Sequence, residues 1–467
     1  MLNPFNDRSP GGFREFFAIA YPLVISKLSL TLMNFTDRLF LSWSSPEELA
    51  AALPAGILTF TMMSFFIGVS EFSNTLVAQN HGAGRERDAT LAMWQGVIFA
   101  IAASMLCYAI TPVGLWLLEH SNHGAVLIGL EKTYFIYFWI GAIFIITNFA
   151  LSSFYSGRGE THVVMYVNII GNLLNVVLDY ALIFGVWGFP QWGIKGAAIA
   201  TVIANAVITL LFLGLILSPK NRRERYAASS FHLHMPMLKV MLRFGAPAGM
   251  HYLLEIGAFT VFIFLLGQLG QAELAASNIV LALNMVAFIP MHGCGVAAGT
   301  LVGRHIGKQD LKHAEKSGYT AWYSAEAYMI ICGLIYIVFP HTLIGWFLLD
   351  ANGSPLPDDA IVQMGTTILY FVAFYQIADA MLLTFSGALR GAGDTMFSMW
   401  VQIICAWFFF VPGTYAAVVW WGWGVYGAWG WATAFITLTG IIYFVRFRSG
   451  IWKQIKVISH HPDQSLK

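Results

Sequence analysis

Twelve continuously apolar runs, each about 20 residues long, dominate this sequence of 467 residues. A helix of about 20 apolar residues crosses the roughly 30 Å hydrocarbon core of a bilayer. Because the runs do not alternate with polar residues, they predict membrane-spanning helices and not barrel strands. The runs begin near Phe16, Leu53, Thr90, Tyr134, Val163, Gly193, Val240, Ala275, Tyr319, Met364, Phe397 and Val425.

The composition supports a membrane protein. Hydrophobic residues make up 58% of the chain and charged residues only 10%, with a mean hydropathy of +0.67. A soluble domain of this length cannot hide so much apolar surface, so we predict an all-α integral membrane protein surrounded by lipid. The formal net charge is +1, which points neither to nucleic acid nor to a strongly charged partner.

The distribution of Lys and Arg predicts the orientation. Nearly all of these residues lie on one side of the predicted spans, and this is the cytoplasmic side by the positive-inside rule. Both termini are then cytoplasmic, and cysteine reporters at Ser230 and Gly353 would test this. The exceptions are two outer lysines and two basic residues within the first run: Lys132, Lys195, Lys27 and Arg38.

The second half of the sequence repeats the first. Each half has six spans, an even number, so both halves start on the same side of the membrane. We therefore predict parallel repeats related by an axis along the membrane normal, as in many secondary transporters. A shift of 225 residues aligns, without a gap, Pro22 with Pro247, ELAA at Glu48 with ELAA at Glu273, Gly82 with Gly307, and Ala89 with Ala314.

The longest inward loop separates the two halves. We predict an N-terminal six-helix lobe at residues 1–217, a cytoplasmic linker at 218–239 and a C-terminal six-helix lobe at 240–467. A GAGD sequence at Gly391 follows a basic residue and is predicted to be a turn, although it matches the GxGD signature of intramembrane aspartyl proteases.

Four acidic residues lie within apolar runs and have no acidic counterpart in the other half. At the 225-residue offset, for example, the position equivalent to Asp37 is Phe262. An acid at the centre of a spanning helix costs about 2.5 to 3.5 kcal/mol, so we infer that these residues are functional. Alternatively, some of these acids form ion pairs with Lys27 or Arg38 and serve only to stabilise helix packing. The four are Asp37, Asp179, Glu255 and Asp379.

Polar side chains in the N-terminal half share helix faces. Asn34 and Asp37 are three residues apart, Asn175 and Asp179 are four apart, and Thr201 adds a hydroxyl on the sixth span. Carboxylate, amide and hydroxyl oxygens in a dry environment suit Na⁺, or a proton that one carboxylate takes up. In this half the sequence therefore predicts a cation site.

The C-terminal half has its own polar faces. Glu255 lies one turn after His251, and Asp379 lies one turn after Tyr375. We predict that Glu255, Asp379 and Tyr375 bind a cation or the substrate.

Several motifs together resemble the MATE (multidrug and toxic compound extrusion) family. The resemblance extends over essentially the whole chain, and its specificity comes from the order of the motifs across the twelve spans. It indicates the NorM-like branch, which has acids in both lobes. The motifs are TDRLF in the first run, LVAQNHGAG after the second, NVVLD in the fifth, GIKGAAIAT opening the sixth, a glutamate in the seventh and YQIADAMLLTFSGALRGAGDT in the tenth.

The resemblance implies two six-helix lobes that form a V, and a cation-coupled antiporter that exports cationic, amphipathic compounds. It also implies a cation site in the N-terminal lobe, at the matching positions of this sequence, and acids in the C-terminal lobe at Glu255 and Asp379. One departure is Glu71, where the family usually has an uncharged residue; we interpret it as an acid near the cytoplasmic mouth and a candidate for a gating role. The matching N-terminal positions are Asp37, Asn175, Asp179 and Thr201.

Two other functions fit the sequence less well. A flippase or exporter of a lipid-linked or anionic cargo would need a cationic interior, whereas the interior ionisable groups here are mainly acidic. An intramembrane enzyme would need a nucleophile or a metal constellation, and the sequence shows neither, so we predict no enzyme activity and no cofactor. The expected partners are a small cationic substrate, a coupling ion (Na⁺, H⁺ or both) and lipid. We expect a monomer in the cytoplasmic membrane.

Overall fold

The computed structural model describes residues 9–121, 123–348 and 359–458, and the described residues form helices and no strand. In chain order, the α-helices are α1 (Phe13–Ser44), α2 (Pro46–Glu71), α3 (Ser73–Gly82), α4 (Glu86–Ala109), α5 (Thr111–Glu119), α6 (Ala125–Ile140), α7 (Ala142–Ser156), α8 (Thr161–Phe184), α9 (Ile194–Ile216), α10 (Pro219–Glu224), α11 (Met235–Gly267), α12 (Gln271–Gly307), α13 (Leu311–Val338), α14 (Pro340–Gly345), α15 (Asp359–Ala392), α16 (Thr395–Val401), α17 (Val411–Tyr415) and α18 (Gly424–Arg448).

Eleven helical segments in the described residues are long and apolar enough to cross a membrane. A twelfth results if α6 and α7, which meet at Gly141 with a bend of 43°, count as one broken span. Two further spans are irregular: α2 and α3 together form one segment, and Thr395–Trp420 contains π-helical turns on both sides of α17. The prediction of a multi-pass, all-α membrane protein with twelve spans is therefore confirmed, and the fourth span is the broken one.

A tight reversal places α8 and α9 side by side. α8 ends at Gly185, which has a φ of +70° and so adopts the left-handed conformation that favours glycine at a helix end. The Trp192 backbone N–H then donates to the Leu182 carbonyl at 2.9 Å, and α9 begins directly after Gly193. This connection makes the two helices antiparallel neighbours, so residues near the end of α8 lie beside the first turns of α9.

The chain divides into two compact units. The unit that we call the N-unit comprises Tyr21–Leu253, Gly303–Asp310 and the segment from Lys456 onward, as far as these ranges are described. The C-unit comprises the start of α1 up to Ala20, Leu254–Val302 and Leu311–Ile455, as far as these ranges are described. The lobe and linker boundaries drawn from the sequence stay a prediction.

Small residues bring α12 and α15 into close contact within the C-unit. A Cβ atom at Gly387 would lie 2.1 Å from the Gly295 carbonyl oxygen, and one at Gly391 would lie 2.1 Å from the Gly299 carbonyl oxygen. Lipid tails are as apolar as side chains, so close backbone packing drives helix association in membranes. The predicted GAGD turn follows directly, because Gly393 has a φ of +88° between α15 and α16.

The segment between α9 and α11, which we call the linker, lies against α4. The Trp94 indole N–H donates to the Ala227 carbonyl at 2.7 Å, and the Thr90 hydroxyl donates to the Arg225 carbonyl at 2.8 Å. Both ends of the Gln95 side-chain amide hydrogen-bond to the linker backbone: the nitrogen donates to the His232 carbonyl at 2.8 Å, and the oxygen accepts from the His234 N–H at 3.0 Å. These bonds satisfy backbone groups of an irregular segment and hold it in one position.

Candidate cation-binding sites in the two units

The polar face of α8 packs against α1. The Asn168 amide donates to the Ser26 hydroxyl at 2.8 Å, and the Asn172 amide donates to the Ser29 hydroxyl at 2.8 Å. Asn168, Asn172, Asn175 and Asp179 follow one another at four-, three- and four-residue intervals, so they lie on one face of α8. The two amide-to-hydroxyl bonds fix the rotation of this face toward α1, which also bears Asp37.

Asn175 joins Asp179 to α9. In the amide orientation that satisfies both ends of the side chain, its nitrogen donates to Asp179 Oδ2 at 2.9 Å. Its oxygen then accepts from the backbone N–H of Thr201 at 3.2 Å. Both Asn175 and Asp179 are fully buried. The amide therefore holds the Asp179 carboxylate in position, and its own oxygen is already engaged.

The Thr201 side chain adds a hydroxyl to this arrangement. Its Oγ1 donates to the Ala197 carbonyl at 3.1 Å, one turn earlier in α9. The hydroxyl hydrogen of Thr201 is therefore bonded within α9, whereas the lone pairs of its oxygen remain available to a ligand.

Asp37 and Tyr134 complete the N-unit cluster. Asp37 and Asp179 lie within electrostatic range of each other, and the charges of both act on the Tyr134 hydroxyl. Among the described residues, nothing donates a hydrogen bond to the buried Oδ1 of Asp37. Asn34, predicted to share the face of Asp37, is exposed. The donor set comprises two carboxylates and two hydroxyls, which are oxygen ligands of the kind that a hard cation prefers.

Tyr134 is a candidate site residue that the sequence did not predict. The residue opens an apolar run, where tyrosine is typical of the membrane interface, so its position carried no signal for a site. In the structure it is buried and stacks on Phe138, with ring centroids 5.7 Å apart and planes 10° from parallel. This stacking restricts the orientation of the Tyr134 ring.

In the C-unit, Asp379 interacts electrostatically with both Glu255 and Tyr375. Asp379 and Tyr375 are buried on α15, and the charge of Glu255 from α11 acts on Asp379. The Asp379 charge also acts on the Tyr375 hydroxyl, as does Tyr336, whose own hydroxyl donates to the Leu283 carbonyl at 2.8 Å. The three predicted residues thus form a second cluster that is rich in oxygen atoms.

Gln376 was not predicted and lies next to this cluster on α15. It is 1% exposed, and neither atom of its side-chain amide has a hydrogen-bond partner among the described residues. A buried amide without partners is costly, by roughly 1–3 kcal/mol for each group. Gln376 precedes Asp379 by three residues and so shares its helix face, which makes it a further candidate ligand.

Other acids lie outside these clusters. Glu71, the predicted gating residue, is partly buried and ends α2 at the junction with α3. Glu131, which sequence reasoning did not single out, is fully buried near the start of α6 and contacts His123, with Oε1 and Nδ1 2.6 Å apart. The structure places both acids at irregular or terminal parts of spans, and the gating role of Glu71 stays a prediction.

Comparison with known proteins identifies the family. The MatE family model matches residues 22–181 and 247–416. The two matches begin 225 residues apart, which is the offset of the internal repeat. Similar proteins include a "Probable multidrug resistance protein NorM" from Pseudomonas syringae pv. tomato, 28% identical and covering 88% of this chain and 92% of the relative. A "Multidrug resistance protein NorM" from Burkholderia vietnamiensis is 29% identical and covers 92% of each chain.

Solved structures share the fold. One is described as the outward-facing conformation of a multidrug resistance MATE family transporter of the MOP superfamily; it has a TM-score of 0.85 and 18% identity and covers 98% of this chain and 99% of its own. Another, a MOP superfamily transporter from Pyrococcus furiosus, has a TM-score of 0.84, 19% identity and coverage of 96% and 98%. The proteins of this family are transporters, which confirms that the chain is not an enzyme. The chain belongs to the MatE family of membrane transporters.

Proposed function

We propose that the protein is an antiporter that exports cationic, amphipathic compounds across the cytoplasmic membrane in exchange for Na⁺ or H⁺. The observation that carries this proposal is the N-unit cluster, in which the buried Asp179 interacts electrostatically with Asp37 within the apolar spans. Two neighbouring carboxylates in such surroundings favour uptake of a cation or proton, since two uncompensated charges repel each other. The names of the relatives, which are multidrug resistance proteins, support drug export.

In the proposed cycle, ion and cargo compete for negative charge. A cation or proton at Asp37 and Asp179 neutralises the site, and its release restores the charge that attracts a cationic cargo. Coupling requires that ion and cargo stabilise opposite-facing states, because a ligand shifts an equilibrium only through differential affinity. Alternating access of this kind is the general mechanism of transporters built from repeats.

The two clusters have different proposed roles. We assign the essential coupling site to the N-unit, where Asp37, Asp179, Thr201 and Tyr134 supply oxygen atoms and Asn175 positions one carboxylate. Glu255, Asp379 and Tyr375 in the C-unit bind a cation or the cargo and tune affinity. We further propose that the protein works as a monomer with both termini in the cytoplasm.

The second candidate is an exporter or flippase of a lipid-linked or anionic cargo. The Pyrococcus furiosus relative is described as having a binding pocket of reversed polarity that suggests a different function. In this chain both clusters centre on carboxylates, which repel an anionic cargo, so we favour a cationic one.

Transport by purified protein in liposomes tests the proposal, with Na⁺ and pH gradients imposed separately. Asp37→Asn and Asp179→Asn should each abolish gradient-driven export while melting near the wild-type temperature, because a neutral isostere removes the charge without opening a cavity. Glu119→Gln, which alters an exposed ion pair with Lys132, is the matched control and should transport normally.

The C-unit variants distinguish the two clusters. Glu255→Gln and Asp379→Asn should change apparent affinity or ion preference and keep coupling. Wild-type export by Asp37→Asn, together with an inactive Asp379→Asn, would reverse the assignment. Export of an anionic cargo by the wild-type protein, with no export of a cationic one, would favour the second candidate.

A further inference from the structure

Glu326 is a carboxylate in the middle of a membrane span that belongs to neither cluster. It lies on α13, ten residues after Lys316 and twelve before the last residue of the helix, Val338. With a rise of 1.5 Å per residue, it is about 15 Å along the helix from Lys316. That distance is half of the roughly 30 Å hydrocarbon thickness, so Glu326 lies near the bilayer centre.

The internal repeat shows that the helix does not require this acid. α13 begins at Leu311 and its counterpart α4 begins at Glu86, exactly one repeat offset earlier. At the same offset, the position of Glu326 is occupied by Ile101. An apolar side chain is therefore compatible with this position in the repeated fold, and ionisable residues within spans are functional candidates by default.

The surroundings of Glu326 are aromatic and provide one directed hydrogen bond. The Trp322 indole N–H, one turn earlier on the same face, donates to Glu326 Oε2 at 3.0 Å. The Trp322 ring contacts Phe385 from α15 and Phe444 from α18, with centroids 5.7 and 5.5 Å away. Tyr323, on the same face of α13, packs on Trp322 at 4.9 Å and is 53% exposed.

We propose that Glu326 and the Trp322 aromatic cluster bind an aromatic organic cation within the C-unit. The carboxylate attracts the positive charge, and the ring faces attract it through the quadrupole of their π-systems while packing against its apolar groups. Glu326 is partly exposed, so a ligand can reach it from the Tyr323 side. The site does not depend on the coupling mechanism proposed above.

A purely structural role predicts something different. If Glu326 served only as an acceptor for the Trp322 N–H, then a glutamine amide oxygen would accept the same bond and cation binding would not change. The replacement Glu326→Gln keeps an acceptor at the same reach and removes the charge, so it separates the two roles.

Equilibrium dialysis of tetraphenylphosphonium against the full-length protein tests the site, in nanodiscs of neutral phosphatidylcholine. Glu326→Gln should lose one bound cation per protein, or bind it at least about tenfold more weakly. The charge-preserving Glu326→Asp should retain binding, and Trp322→Phe, which keeps a ring and loses the N–H, should weaken it less than Glu326→Gln. Triphenylphosphine oxide, a neutral analogue, should bind both proteins equally.

The matched control is Glu315→Gln, because Glu315 lies on the same helix and pairs with Lys453 near the cytoplasmic end. It should bind like the wild type. The Glu326→Gln effect should also persist in an Asp37→Asn protein, which separates this site from the coupling cluster. Unchanged stoichiometry and affinity in a folded Glu326→Gln protein would overturn the proposal. If that variant does not fold, then binding by Trp322→Phe that equals the wild type would overturn the proposal.

Discussion

Gly82 and Gly307 occupy equivalent positions in the two halves of the sequence and lie at one helix crossing. A Cβ atom at Gly82 would lie 2.0 Å from the Arg304 carbonyl oxygen, and a Cβ atom at Gly307 would lie 2.0 Å from the Gln79 carbonyl oxygen. Gln79 and Arg304 are themselves separated by the repeat offset of 225 residues. The contact is therefore symmetric: each glycine packs on the backbone of the residue that lies three positions before the other glycine.

This crossing predicts that Gly82→Ala and Gly307→Ala destabilise the protein. A methyl group 2.0 Å from a backbone oxygen forces the helices apart, and overpacking of this kind costs roughly 1–3 kcal/mol. Thermal unfolding in detergent measures the effect. Gly214→Ala is the control, because a Cβ atom there meets nothing within 4 Å and alanine is the better helix former. Equal melting temperatures for all three variants would contradict the close contact.

Tyr134→Phe should weaken binding of the coupling ion. The substitution keeps the ring that stacks on Phe138 and removes the hydroxyl that lies near Asp37 and Asp179. The loss of one such polar contact is worth about 1 kcal/mol, so the ion concentration for half-maximal transport should rise roughly fivefold. Tyr166→Phe, at an exposed tyrosine of α8, should leave this concentration unchanged. A Tyr134→Phe protein with wild-type ion dependence would place the hydroxyl outside the site.

Loosening the linker should make it more sensitive to protease. Trp94→Phe removes the indole N–H that bonds the Ala227 carbonyl, and Gln95→Leu removes both bonds to the backbone near His232. Trypsin should then cleave faster after the exposed residues Arg222 and Arg223. The free energy required to open this segment locally should fall by about 1 kcal/mol for each lost hydrogen bond. The control is Trp116→Phe, which changes an exposed tryptophan; trypsin should cleave this variant at the wild-type rate.

Cysteine labelling in intact cells tests the orientation. Ser230, one reporter suggested by the sequence, is fully buried, so a cysteine there would resist labelling from either side; the other, Gly353, lies outside the described residues. Exposed positions are better reporters: Ser229 in the linker, and Gln191 between α8 and α9.

In a background without cysteines, an impermeant thiol reagent should label Gln191→Cys and not Ser229→Cys. Lysis should make Ser229→Cys reactive, which controls for its accessibility. Labelling of Ser229→Cys in intact cells would contradict a cytoplasmic linker.

Hydropathy and repetition in the sequence were sufficient to predict the spans, the repeat and the family. These properties depend on residues that are close in sequence, because a span needs only a run of apolar side chains long enough to cross the bilayer. The same holds for the acids: their presence in apolar runs, and their absence from the other half, are visible without a structure. Even the shared faces of Asn175 with Asp179, and of Tyr375 with Asp379, follow from helical spacing.

Only the tertiary structure decided which side chains meet across helices. The engagement of the Asn175 amide with both Asp179 and the Thr201 backbone depends on how α8 and α9 are rotated against each other, as does the addition of Tyr134 from α6. The same applies to the contacts of the Trp322 ring with Phe385 and Phe444, which lie on two other helices. Helix rotation and crossing are set by how small and large residues interdigitate over the whole interface. No local pattern contains that information, which is why the sequence predicted the four acids of the two clusters and their helix faces but not their partners on other helices.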